Sequence, residues 1–321
     1  MIVLCEYKSP YPISEKVKVY DLSEKERGKL GIVKRFLAFR DAIKRIKPDV
    51  TVNYNLQGAY FSLLVGKDVC GKIIYSERGD PYDDEYSGLL GKVRDWTCRR
   101  VDGFVFQSEG ARDFFVIGKR QRVAVIHNSV NVPQDKYPIP EKRDNRIVAV
   151  GRLHPQKNPH LLLDAFARIA AGHPEVHLDF YGDGELHDEL QSKINRLGLG
   201  SWVSLHPSRK DIFDCIRTAR LFVLPSDYEG MPNALMEAMA LGLPCISADC
   251  RPGGARTLID DGKNGFIVPV RDVEALAGKM SYLLDNPDVA ERVAREARVI
   301  GETHTNEMTF NKWNDFLESL F

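Results

Sequence analysis

The chain has 321 residues, 43% hydrophobic and 28% charged, the balance of a globular protein with about two domains. No run of about 18 apolar residues occurs, which excludes a bilayer-spanning helix, and the opening "MIVLCEYKSPYP" lacks the basic flank and long apolar core of a signal peptide. The net charge of zero hides an asymmetry: residues 1–143 carry 26 Lys and Arg against 19 Asp and Glu, and residues 144–321 carry the reverse. The basic first half suits an anionic membrane or an anionic acceptor, or is an evenly solvated surface. Nothing in the pattern calls for nucleic acid. The six cysteines, Cys5, Cys70, Cys98, Cys215, Cys245 and Cys250, have neither CxxC nor zinc spacing and read as reduced thiols in a reducing compartment.

In chain order, strands are expected at residues 2–7, 17–22, 49–55, 72–77, 103–108 and 123–128, with a long basic helix at 32–47. That helix sets Lys34, Arg35, Arg40, Lys44, Arg45 and Lys47 among apolar residues at three- and four-residue steps, with Asp41 as its one acid. Residues 132–145, with three prolines and many charges, have linker composition. Beyond them strands are expected at 146–151, 176–182, 202–206, 221–226 and 244–249. Helices are expected at 160–171, 185–198, about 210–218 and 233–241. Short apolar strands alternating with helices mean a parallel sheet covered on both faces, which binds ligands at the carboxyl ends of its strands. The expected fold class is therefore α/β, with two Rossmann-like domains facing a cleft: residues 1–143, residues 144–300, and a helix at 301–321 packing back on the first domain.

The stretch "PSDYEGMPNALMEAMALGLPC", Pro225 to Cys245, poses the chemical question. From Ala234 to Leu241 every residue but Glu237 is apolar, so the helix is buried. It carries Glu237, and the loop before it carries Glu229, with no Lys or Arg close in sequence. A buried unpaired carboxylate costs several kcal/mol or takes up a proton. Asn233 and Glu237 are four apart rather than three, so a capping box does not account for it. The partner is either a ligand with vicinal hydroxyls, such as a ribose, or a distant internal cation. Glu229 and the backbone N–H groups of residues 231–233 suit a second polar ligand. In "GRLHPQKNPHLLLDAF", Arg152 and Lys157 flank a loop between a strand end at Gly151 and a helix, which suits a diphosphate. His127 in "VIHNSVN" follows the last strand of the first half, where it serves a cleft or is a hydrogen-bonded loop histidine. The acidic runs at 80–85 and 258–263 read as solvated loops, and no metal-binding acidic cluster stands out.

The blocks "GRLHPQKN", "FYGDGEL", "PSDYEGMPNALMEAMALGLPCISAD" and "GGARTLIDDGKNGFIVP" together resemble the retaining GT-B glycosyltransferases of family four, in order and spacing, over roughly residues 146–285. The weaker "SERGDP" and "FVFQSEGARDFF" resemble the branch that builds surface polysaccharides and lipid-linked glycans. The resemblance implies that the glutamate pair spaced eight apart falls on Glu229, toward the donor sugar, and Glu237, on the ribose. It puts Arg152 and Lys157 on the donor diphosphate, with Glu229, Arg152 and Lys157 as the catalytic set. Donor-binding positions would be Gly151, Gly182, Asp183, Gly184, Gly230, Met231, Pro232, Asn233, Leu235 and Glu237. Asp183 reads as a turn residue, and Gly182 and Gly184 would let the backbone approach the nucleotide. Glu77, Arg78, Asp80 and His127 are the acceptor-side candidates.

The donor implied is a nucleotide sugar, a UDP-sugar first and a GDP-sugar second, with no further cofactor and no metal. The acceptor implied is a glycan or a polyprenyl-linked glycan, and the location is cytoplasmic or peripheral on the inner face of the membrane. Two departures stand against the pattern. Thr257 occupies the place of a glutamate after the paired glycines, and "IVLCEY" begins at residue 2, where the family has a preceding strand–loop–helix unit. The expected activity is transfer of a sugar to an acceptor hydroxyl. Its rival is nucleotide-sugar binding without transfer, or in service of a partner. A sugar-nucleotide epimerase on a similar fold fits less well.

Overall fold

The structure, a computed structural model, describes residues 1–3, 14–22, 31–82 and 88–321. The expected strand 2–7 beyond Val3, Cys5 and the acidic residues 83–85 lie outside the described residues. The chain divides into two compact units. Unit 1 comprises residues 1–106, 113–125 and 314–321, and unit 2 residues 107–112 and 126–313.

Unit 1 holds β1 (Ile2–Val3), β2 (Tyr20–Asp21), β3 (Val50–Asn53), β4 (Lys72–Ser76), β5 (Gly103–Phe106) and β6 (Arg122–Val125). Its helices are α1 (Gly31–Ile46), α2 (Leu56–Val65), α3 (Lys67–Cys70) and α4 (Gly88–Cys98), while α5 (Glu109–Phe114) begins in unit 2 and ends in unit 1. β3 to β6 form one parallel sheet in chain order, and β1 and β2 form a separate parallel pair. The central strands β4 and β5 are the most buried part of that sheet, with Ile73, Ile74 and Tyr75 of "KIIYS" and Phe104, Val105 and Phe106 closed from solvent. Each such side chain contributes roughly 1.5–3 kcal/mol by leaving water. Phe104 stacks on Phe106, Phe115 lies tilted against both, and Tyr75 meets Phe104 and Phe115 edge-on. α1 buries Phe39, Ala42 and Ile43 and leaves Ile32, Val33 and Leu37 exposed beside its cations.

Unit 2 is larger. Its strands are β7 (Asp144–Val150), β8 (His177–Tyr181), β9 (Val203–His206), β10 (Ala219–Leu224), β11 (Cys245–Ala248) and β12 (Phe266–Val268). They form one parallel sheet in the order β12-β11-β10-β7-β8-β9. Its helices are α6 (Pro159–Ile169), α7 (His187–Arg196), α8 (Ile212–Ile216), α9 (Asn233–Ala240), α10 (Gly254–Leu258), α11 (Val273–Asp285), α12 (Pro287–Arg298), α13 (Ile300–Thr303) and α14 (Asn306–Glu318). The last five residues of α14 belong to unit 1, where Phe316 lies against Gly103.

The sheet order fixes where a site can form. From β7 the chain runs outward through β8 and β9, then returns to the other side of β7 as β10 and runs outward again. At that reversal the loops after β7 and β10 meet at the carboxyl ends of their strands, where a parallel sheet of this kind takes its ligand. α6 is started there by Asn158, whose side chain accepts from the Leu161 N–H at 3.2 Å, with Pro159 in the first turn. One core packs α6 and α11 on one face of the sheet, through Leu162, Phe166, Met280 and Leu283. A second core holds α9 on the other face, through Leu235, Met236 and Met239.

Residues 126–145, polar enough to read in part as a linker, are anchored in unit 2. Val130, Val132 and Tyr137 join the α9 core. Gln134 donates to the Ala240 and Arg298 carbonyls, and Arg143 grips Glu291 and the Gly242 carbonyl.

Candidate active site

The loops after β7 and β10 are stitched together at the reversal point. The Asp227 N–H donates to the Gln156 carbonyl at 2.9 Å, and the Gln156 side chain donates to the Tyr228 carbonyl at 3.0 Å. Asn158 donates to Asp227 at 2.8 Å, and Arg271 holds the same carboxylate through two nitrogens. Behind them the Glu229 N–H donates to the Arg251 carbonyl at 2.9 Å.

This stitching separates the two glutamates. Glu229 is buried, and its Oε1 accepts from both Lys157 Nζ and, at 2.8 Å, Ser226 Oγ. Of the two readings, ligand or distant internal cation, Glu229 takes the second: its partner lies 72 residues back in sequence, on the loop after β7, and within the same unit rather than across domains. Glu237 differs. It is half-buried on α9 and has no partner among the described residues, and burial pushes its carboxyl up to about 7. The first N–H groups of α9 have no intrahelical acceptor, and its N-cap is Pro232, which provides no capping side chain. A hydroxyl or phosphate of a ligand could meet these N–H groups and the Glu237 carboxylate together.

Arg152 is exposed, and among the described residues its guanidinium bonds only to Gln156 Oε1, at 3.4 Å. Lys157 Cε and Cδ pack under Gly151, where an added Cβ would sit 3.4 Å from Lys157 Cε. Gly182 and Gly184 have a structural reason of their own. A Cβ would fall 2.0 Å from the Gly151 oxygen at the first and 2.2 Å from the Leu153 oxygen at the second. The close approach they permit is thus between two loops of the protein, sealed by the Leu153 N–H donating to the Asp183 carbonyl at 2.9 Å. The exposed Asp183 side chain accepts from the Ser208 N–H, and the Ser208 hydroxyl first and that N–H second hold it below the usual carboxylate range. Gly254 has the same kind of reason, since a Cβ there would meet the Gly230 oxygen.

Residues 133–299, just over half the chain, match the family described as glycosyl transferases, group 1. The chain belongs to that family. The amylovoran biosynthesis glycosyltransferase AmsD of Erwinia amylovora is 30% identical over 209 residues, 64% of this chain and 56% of that protein. An uncharacterized glycosyltransferase of Haemophilus influenzae is 25% identical over 195 residues, 61% of this chain and 54% of that one. The matched stretch is thus little more than half the length of these relatives. Among solved structures, sucrose-phosphate synthase from Thermosynechococcus elongatus superposes with TM-score 0.81 at 17% identity, covering 99% of this chain and 87% of that one. Anabaena HepE in complex with UDP and glucose gives 0.78 at 20%, covering 95% and 86%. At such identities the likeness is one of fold, the GT-B arrangement of two parallel-sheet α/β Rossmann-like domains.

In this group 1 glycosyltransferase chain, the remaining expected residues sit as follows. Met231 and Pro232 are buried at the start of α9, and Gly230 is half-buried. Leu235 is closed from solvent, its side chain in the α9 core, and its N–H donates to the Pro232 carbonyl at 3.1 Å. Thr257 is exposed, and its hydroxyl donates to the Gly253 carbonyl.

In unit 1, Glu77 is buried and accepts from Tyr75 Oη at 2.6 Å and from the N–H groups of Arg78 and Gly79. Asp80 is buried and accepts from the Tyr82 N–H at 3.0 Å. Arg78 lies over the Tyr54 ring at 4.9 Å, and burial lowers its pKa. His127 belongs to unit 2. It stacks on His304 with Nδ1 3.2 Å from His304 Nε2, and burial and Lys312 push it below the usual histidine range.

Sequence reasoning missed Ser226, Gln156 and Asp227, which position the glutamate loop. It also missed Gln107, within "FVFQSEGARDFF", and Asn128, beside His127 in "VIHNSVN". No periodicity marks such residues, and apart from Ser226, which serves Glu229 three residues on, the partners that tie them across the fold lie 21 or more residues away. Among the described residues no group of three or more His, Cys, Asp or Glu gathers to hold a metal ion, and no helix is long and apolar enough to cross a membrane. The five described cysteines are free, and burial raises the Cys98 and Cys250 thiols to about 12.

Proposed function

We propose that this chain binds a nucleotide sugar at the β7/β10 reversal of unit 2 and transfers the sugar, with retention, to an acceptor hydroxyl, as a family-four enzyme. The observation that carries this reading is the unlike pairing of the two glutamates: Glu229 bonded to Lys157 and Ser226, and Glu237, one turn into an apolar helix, without a partner among the described residues. Ribose hydroxyls would donate to Glu237 and relieve its desolvation. Arg152, Lys157 and the first N–H groups of α9 would take the diphosphate, and their charge would count most as it leaves. The bond from the anomeric carbon to the β-phosphate oxygen breaks, the acceptor oxygen bonds to the same face, and its proton passes to the departing phosphate.

A UDP-sugar is the first choice of donor. AmsD is named for amylovoran biosynthesis, and HepE was solved with UDP and glucose, which supports a UDP-sugar and a glycan or polyprenyl-linked acceptor. The turn shaped by Glu77 and Asp80, which carries Arg78, is proposed on the acceptor side. The exposed apolar and cationic residues of α1 support a peripheral site on anionic lipid at the inner membrane face.

A second reading, donor binding without transfer, is favoured by one observation: β1 and β2 form a pair apart from the four-stranded sheet of unit 1. The experiment is calorimetry with UDP and GDP, followed by turnover of the matching nucleotide sugars with lipid-linked glycan. Binding with turnover supports the enzyme, and binding without turnover the second reading. Glu237→Gln should weaken UDP by roughly 1.5–3 kcal/mol. It should also remove the fall in stability of the free protein as pH rises from about 4.5 through about 7, where burying the charged form becomes costly. Unchanged UDP affinity in that variant, or absence of nucleotide binding in the parent, refutes the site.

A further inference from the structure

Three side-chain amides form a chain leading to the start of α9. Gln107, directly after β5, is buried, and its Nε2 donates to Asn128 Oδ1. Asn128, beyond β6, donates from Nδ2 to Asn233 Oδ1 at 2.7 Å. Asn233 is the first residue of α9. All three belong to unit 2. Both upstream residues are tied down. Next to Gln107, Ser108 Oγ donates to the Pro252 carbonyl at 3.1 Å, and a Cβ on Gly110 would fall 2.1 Å from that same oxygen. The backbone N–H of Asn128 donates to Met231 Sδ at 3.3 Å.

An amide has a donor end and an acceptor end, so such a chain has a direction. Gln107 gives a proton to the Asn128 oxygen. The Asn128 nitrogen then gives one to the Asn233 oxygen. The end of Asn233 with no partner among the described residues is its NH2, a pure donor. Asn233 and Glu237 are four apart and share one face of α9. That face therefore presents two N–H bonds at its first residue and a carboxyl one turn on.

We propose that Asn128 is a positioning residue. Through this directed chain it fixes the Asn233 amide with NH2 outward, and so makes the start of α9 select an acceptor-only anion, the diphosphate of the donor, over a bare nucleoside. The inference rests on the nucleotide-sugar reading above and adds to it the source of its preference for the diphosphate. A reversed Asn233 would present its carbonyl oxygen to the same phosphate and repel it.

The chain makes a specific demand of substitution. Asn128→Asp is acceptor-only. It still takes a proton from Gln107, but it obliges Asn233 to turn over and donate to it. Asn128→Ala leaves Asn233 without orientation. The measurement is the ratio of UDP to uridine affinity by calorimetry, in the parent, Asn128→Asp, Asn128→Ala, Asn233→Ala and the double variant Asn128→Asp with Asn233→Ala. The ratio should fall roughly ten- to hundred-fold in Asn128→Asp, less in Asn128→Ala, and by no further amount in the double variant than in Asn233→Ala.

A charge acting directly on the phosphate would lower the double variant below Asn233→Ala, which overturns the proposal. So does an unchanged ratio, or an equal loss of UDP and uridine affinity with a lower melting temperature, the mark of a merely structural residue. If the parent binds UDP and GDP no better than uridine and guanosine, the nucleotide-sugar reading itself fails and takes this inference with it. If the parent prefers the diphosphate and the variants keep that preference, this inference alone fails.

Discussion

The buried carboxylates that follow strands are satisfied in opposite ways in the two units. In unit 1, Glu77 and Asp80 accept from N–H groups of their own turn, with Tyr75 Oη on the second oxygen of Glu77. In unit 2, Glu229 also follows a strand and is buried, but its partner is a lysine on another loop, and Glu237 has no partner among the described residues. A carboxylate satisfied within three residues shapes a turn. A carboxylate satisfied across loops, or by nothing in the protein, is available to a ligand or to the charge a ligand brings. The sheets differ in the same sense. The six strands of unit 2 make one sheet with a single reversal, and its loops converge there; the described strands of unit 1 make a four-stranded sheet and a separate pair.

The largest effect expected from this contrast is at Lys157. Lys157→Met leaves Glu229 buried with only Ser226, and removing one partner of a buried ion pair costs about 3–5 kcal/mol. The side chain of Lys157 is 21% exposed, so the lower end applies. Adding Glu229→Gln should restore most of that stability by removing the orphaned charge, yet leave UDP binding weak. Denaturant titration of both variants beside calorimetry checks this. If the double variant regains nucleotide binding with its stability, the pair is structural and the contrast between the units fails.

The architecture of unit 2 was legible because its strands are short, apolar and evenly spaced, as Ile147, Val148, Phe222 and Val223 show. The glutamate pair was legible because Glu237 interrupts an apolar helix. Its distant partner was not: nothing local links Lys157 to Glu229, and only the pairing of β7 with β10 brings their loops together. Residues 132–145 misled for a related reason. Prolines and charges mark a linker by composition, but Tyr137 and Arg143 bury themselves against α9 and α12 residues that the composition of the segment cannot reveal. The glycines at 182 and 184 suggested a ligand's approach, when the Gly151 and Leu153 carbonyls already fill the space a Cβ would take.

The next effect sharpens the unit 1 side. Glu77→Gln keeps the shape but exchanges a charged acceptor for an amide: its oxygen still takes the Arg78 and Gly79 N–H groups more weakly, and its NH2 must donate to Tyr75 Oη, which has to turn its own proton away. The loss should be about 1–2 kcal/mol of stability. UDP affinity should be unchanged, since the carboxylate serves its own turn. A variant of full stability that loses UDP binding would show that Glu77 reaches the donor, and the two units would no longer differ in kind.

The smallest effect concerns His127 and His304, where the chain passes from β6 into unit 2. Their rings stack with an interplanar angle of 8°, and both titrate below the usual histidine range: burial comes first for each, with Lys312 acting on both and His127 on His304. A depressed histidine means that the unfolded chain binds more protons than the folded one just below pH 6.5, so stability rises with pH through that window and is lost as pH falls. Two imidazolium rings this close also repel, so the pair resists its second proton more than its first. His304→Phe keeps the stacking but removes one titrating ring and the 3.2 Å hydrogen bond. The variant should lose on the order of 1 kcal/mol at pH 7.5 from the orphaned His127 nitrogen, and its stability should fall less steeply than the parent's between pH 6.5 and 5. Donor affinity at pH 7.5 should hold, because the pair touches neither Glu229 nor Glu237. An unchanged slope with pH would mean that the pair carries no proton-linked stability, and that the acid sensitivity of unit 2 resides elsewhere, in its carboxylates or in His160, which burial also pushes below the usual histidine range.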